Sequence, residues 1–127
     1  MTFREARVLI LFELANLAPP HHIDEKCLLA NATLCGLLGG PLTGYRLAYG
    51  VALHLRSLTL VGHCWVIGPE GNVLDALNSY YGEPCVENDD ARKAEMSDEM
   101  WENALDTAEA ARQGFPTIRF WRQIRGV

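Results

Sequence analysis

No stretch of this sequence strings together the ~18–20 apolar residues that a membrane-spanning helix needs. That argues against a membrane protein. A secretory leader is not expected either: the apolar run at residues 8–12 is flanked by Glu5 and Glu13, and no small-residue cleavage site follows. A packed helix is the better reading there. The cysteines at 27, 35, 64 and 85 form no CxxC pair and no tight framework. Free thiols in a reducing cytoplasm are therefore the expectation, with a single disulfide left open. Positive charge is also short. A net charge of -5 argues against a nucleic-acid footprint over the whole surface. The basic, aromatic stretch at residues 119–125 is read as an edge strand with solvated arginines, because so short a patch supplies few phosphate contacts. The acidic stretch at residues 87–90 lacks the ligand order and glycine of an EF-hand and reads as a solvated loop. Repeats and linkers are absent, so residues 1–127 are taken as one domain.

What remains is globular: 49% hydrophobic and 21% charged residues, enough for one real core at this length. Apolar groups at Phe3, Ala6, Ile10, Leu14 and Leu17 predict a helix, nearly buried all round and stopped by Pro19-Pro20. A second, central helix is predicted over 24–38, with Asp24 as its N-cap and Gly39-Gly40-Pro41 as its stop. Period-two patterning then predicts strands over 44–55, 58–67 and 73–77. Residues 79–96 read as irregular. Ser97 caps a third helix with Asp98 and Glu99 in its first turn, and a last strand is expected over 117–124. The order predicts an α+β fold, with central N-terminal helices packed on a small antiparallel sheet.

Three side chains then stand out. With Asp24 as N-cap, Cys27 falls at the third helical position, where the helix dipole and unpaired N–H groups favour a thiolate; Lys26 adds positive charge. His63 and Trp65 share one strand face, with Cys64 on the other, so Trp65 would wall the imidazole. Asp75 sits among Val73, Leu74, Ala76 and Leu77, and a carboxylate in such surroundings needs a partner. A three-residue loop at 69–71 would put Asp75 diagonally beside His63 on the same face. A two-residue Glu70-Gly71 turn would put it on the opposite one, and the turn sequence leaves both registers open. Together Cys27, His63 and Asp75 make a thiol–imidazole–carboxylate unit suited to nucleophilic attack on a carbonyl. Metal binding is the chemical rival. Cys27, Cys35, His54, His63, Cys64 and the pair His21-His22 offer ligands, but their spacing matches no zinc finger or ribbon, and neither a metal nor a cofactor is expected.

Cys27 at a helix start, Gly39-Gly40, a strand ending in Gly50, then His63-Cys64-Trp65 and Asp75 on a hairpin form a recognisable series over residues 24–78. It resembles the transglutaminase-like branch of the papain-like cysteine proteins. The resemblance implies a papain-like core, Cys27 as nucleophile, His63 as general acid/base and Asp75 as its orienter. Trp65 and His22 would then be substrate-binding residues, and the substrate a protein or peptide. The sequence departs from the pattern at Cys64, where a small residue often stands. It also has no Gln or Trp upstream of Cys27 for an oxyanion hole, for which His21 or His22 is the substitute. The expected activity is amide hydrolysis or acyl transfer, of peptidase, deamidase or transglutaminase type. The alternative is a non-catalytic binding or adaptor domain with a degenerate triad.

Overall fold

A computed structural model describes residues 1–17 and 26–114, without the side chains of 83–85. Its elements run α1 (Phe3–Leu17), α2 (Cys27–Leu37), a 3-10 turn (Pro41–Thr43), β1 (Arg46–His54), β2 (Thr59–Ile67), β3 (Val73–Leu74), β4 (Tyr81–Glu87), α3 (Asp89–Glu95) and α4 (Asp98–Arg112). The four strands form one antiparallel sheet in the order β3-β2-β1-β4. Helices packed on a small antiparallel sheet make this the α+β fold that the residue pattern predicts. No described helix is long and apolar enough to cross a membrane.

α2 is the axis of the molecule. Residues 28–36 are all buried, as its fill of Leu, Ala and Cys predicts. One side joins an apolar cluster with Ala6, Ile10 and Leu14 of α1 and with Val66, Ala76 and Leu77; the other joins Leu47, Tyr49 and Cys64, with Ala104 of α4. Gly36 lets α4 come close: a Cβ there would stand 2.0 Å from the Ala108 carbonyl oxygen. α1 is less buried than expected. It buries an i, i+4 stripe of Ala6, Ile10 and Leu14, while Val8 and Phe12 face solvent.

Several boundaries differ from expectation, each for a local reason. α2 begins at Cys27, with Lys26 at the N-cap and no side-chain cap, so Cys27 is the first helical residue rather than the third. Asp24, the expected cap, lies outside the described residues, as does the strand expected over 117–124. β3 is two residues long, not five. Asp75 ends it: its Oδ1 accepts the Leu77 N–H at 2.8 Å, and the chain turns on through Tyr80 N–H to Leu77 O. Residues 79–96, expected to be irregular, hold β4 and α3. β4 contains Gly82 and Pro84, but it is an edge strand, where missing donors and weak packing are tolerated. The acidic run at 87–90 joins two elements: Glu87 ends β4, Asn88 is the N-cap of α3, accepting from Ala91 N–H, and Asp89 and Asp90 lie in its first turn. Ser97 caps α4 as predicted, accepting from Met100 N–H.

Candidate active site

The hairpin from β2 to β3 decides where Asp75 lies. Gly68 N–H donates to Asn72 O at 2.9 Å, and Ile67 pairs with Val73, so the loop is the three residues 69–71. Gly71 closes it at φ 83°, a conformation that L side chains rarely adopt. Of the two registers open to the sequence, this one brings Asp75 to His63: Nε2 of His63 lies 2.6 Å from Asp75 Oδ2. Both groups are buried, His63 with no exposed surface.

Among the described residues β3 pairs with β2 only at Val66 and Ile67. α2 packs on the face of the sheet that carries Cys64 and Val66. The Asn31 Nδ2, one helical turn beyond Cys27, donates to the Cys64 carbonyl at 2.9 Å. Cys27 packs against the cluster that contains Cys64, and the Cys64 thiol and backbone and the His63 ring are the groups that act on its charge. The expected separation of His63 and Cys64 on opposite faces therefore does not keep either one from Cys27.

The electrostatics follow from these contacts. The Cys64 hydrogen bond, aided by the His63 ring and its charge, outweighs burial and holds the Cys27 thiol well below its ordinary value. Cys64 moves the opposite way: donating to Cys27, and buried, it is held well above the ordinary thiol range. Burial alone would depress His63, but hydrogen bonds to Asp75 and Cys27 and their negative charges push it up to about 9. Negative charge on Cys27 and positive charge on His63 thus favour each other. With Nε2 engaged by Asp75, the buried Nδ1, which has no hydrogen-bond partner among the described residues, is the ring nitrogen left for the thiol. The start of α2 adds N–H groups that the N-cap residue Lys26 does not cap with its side chain, a field that favours an anion.

The aromatic wall differs from expectation. Tyr81 stacks on His63, centroids 3.6 Å apart and planes 14° off parallel, whereas Trp65 is tilted at 6.2 Å. Trp65 is buried, with 1% of its surface exposed. His22 and His21 lie outside the described residues. Asn31 and Tyr81 are the neighbours that sequence reasoning missed. Asn31 carried one signal, a polar residue four positions after Cys27 in an apolar helix; Tyr81 carried none. Among the described residues no group of three or more His, Cys, Asp or Glu side chains is placed to hold a metal ion. The sequence matches no protein-family model, no curated protein is detectably similar to it, and no solved structure matches it.

Proposed function

We propose that this chain is a cysteine-dependent amide hydrolase or acyl transferase of transglutaminase-like or papain-like type, acting on a protein or peptide. The observation that carries the reading is the bond of the buried His63 imidazole to the buried Asp75 carboxylate at 2.6 Å, with Cys27, at the first position of α2, packed against the cluster that holds the adjacent Cys64. In the reaction the Cys27 thiolate attacks the amide carbon. The N–H groups at the start of α2 receive the charge that develops on oxygen. His63 gives its proton to the departing nitrogen, the C–N bond breaks, and a thioester remains on Cys27. Water or an amine, losing its proton to His63, then releases the acyl group. Asp75 fixes the ring and supports its positive charge. The free cysteines at 27, 35 and 64 suit a reducing compartment such as the cytoplasm.

One observation favours the second reading, a binding domain with a structural triad: His63 has no exposed surface. The test is intact-mass analysis after incubation with a panel of peptides bearing backbone and glutamine amides. An acyl adduct on Cys27 with amine or ammonia released, and no adduct on Cys27→Ala, is the expected result. Absence of any adduct, with Cys27 alkylated no faster than a free cysteine, would leave the binding domain as the answer.

A further inference from the structure

Asn31 is fully buried in a helix whose one other buried polar side chain is Thr33, and its amide is used in three directions. Nδ2 donates to Cys64 O at 2.9 Å and to Asp75 Oδ1 at 3.0 Å, and Oδ1 accepts the Ala76 N–H at 2.9 Å. A primary amide carries two donors on one atom and an acceptor on the other, and here both donors and the acceptor are engaged. Those bonds join the three segments that carry the site: α2 with Cys27, β2 with His63 and the turn with Asp75. Cys27 and Asn31, four residues apart, lie on one helical face.

We infer that Asn31 is a positioning residue for the Cys27–His63–Asp75 unit, fixing the rotation of the Asp75 carboxylate so that Oδ2 meets His63. The inference rests on the amide-chemistry reading of the site. Asp75 Oδ1 is held by two donors, Asn31 Nδ2 and the Leu77 N–H at 2.8 Å. Without Asn31 the carboxylate keeps one tether and can turn about it, and the bond to His63 loses its geometry. The Ala76 N–H and the Cys64 carbonyl lose a partner at the same time, loosening the turn and β2 against α2. No other common side chain of this size supplies two donors and an acceptor from one branch point.

The test separates hydrogen bonding from packing. Asn31→Ala removes both; Asn31→Leu keeps the branched shape and removes only the bonds. Iodoacetamide alkylation of Cys27 is followed by peptide mass spectrometry from pH 4 to 10, with the His63 ring titrated by NMR. In both variants the His63 titration is expected to fall from about 9 toward its ordinary 6.5. The alkylation curve should move up by a pH unit or more, so that labelling at pH 6 is roughly tenfold slower. If Asn31→Leu keeps the wild-type curves while Asn31→Ala is merely less stable, Asn31 only fills space and the inference is overturned. Should neither variant fold, exchange of the Asn31 side-chain amide protons in the wild-type protein decides: slow exchange supports the clamp, and free exchange overturns it. A wild-type Cys27 titrating like an ordinary thiol near ~8.5 sinks the proposed function. A wild type with the depressed titration, matched by its variants, sinks only the role of Asn31.

Discussion

Cys27 and Cys35 stand on the same helix, two turns or roughly 12 Å apart, and their thiols are driven in opposite directions. At Cys35 burial among apolar side chains pushes the thiol up to about 11, where it stays protonated and inert. At Cys27 a donated hydrogen bond from Cys64 and the charge of His63 overcome burial and hold the thiol well down. The first turn of α2 also offers N–H groups that the Lys26 side chain does not cap, and that field fades within a turn. Reactivity belongs to the neighbours a thiol is given, not to the residue or the helix. The way to break the comparison is to take those neighbours away one at a time.

Cys27→Ala has the largest expected effect: turnover and acyl-adduct formation vanish, while Cys35 labelling in the folded protein stays slow. His63→Ala comes next. It removes the positive charge beside Cys27 and leaves the Cys64 thiol in place, so the thiol moves up and alkylation at pH 6 should fall by more than about tenfold. Peptide mass spectrometry reads it directly. The same histidine sets a pH limit on turnover. Its raised pKa keeps the proton for the leaving nitrogen up to about 9, and above that the proton is gone. Acyl transfer should therefore decline as pH rises through about 9, while iodoacetamide labelling of Cys27, which needs no proton donor, does not. A parallel decline in both would mean that the loss is of fold rather than of the imidazolium.

The end of α2 that matters was largely readable from the sequence, and the reasons it was not fully so are physical. Cys27, His63 and Asp75 each stood out alone, as a thiol near a helix start, an imidazole on a strand and a carboxylate among apolar residues. What joined them was a loop one residue longer than its rival, held by a Gly71 that suits either turn. Helix, strand and cap signals at Ser97 and over β1 and β2 are local and were legible. β4 was hidden because Gly82 and Pro84 weaken the strand signal at an edge that needs little of it. α3 was hidden by its brevity. Asn31 was hidden for another reason: its partners lie 33 to 45 residues away, and no local pattern tells a clamped polar side chain from a misplaced one. The aromatic partner of His63 went to Tyr81 rather than Trp65 because β4 folds back beside the ring, a long-range event.

Cys64→Ala sharpens the comparison further with a smaller step. It deletes the hydrogen bond that lowers Cys27 most, but leaves the His63 charge and the Cys64 backbone in place. An upward shift of the Cys27 alkylation curve by about one pH unit is expected, with roughly tenfold slower labelling at pH 6. Cys64→Ser, which keeps a donor, should recover part of it. Equal curves for Cys64→Ala and wild type would assign the whole depression to His63.

Cys35→Ala is the smallest change, and it tests the other half of the contrast. The Cys35 side chain is buried in the cluster that joins α1, α2 and the sheet, and it takes no part in the site. Deleting one buried heavy atom there should cost about 1 kcal/mol, the range of a buried methyl deletion. For a chain of this size that is a fall of roughly 3–5 °C in Tm. The Cys27 alkylation curve should not move at all, because nothing that lowers that thiol runs through position 35. A displaced curve would mean that packing in the middle of α2 governs the reactivity of its first turn, and the two ends of the helix could no longer be argued apart.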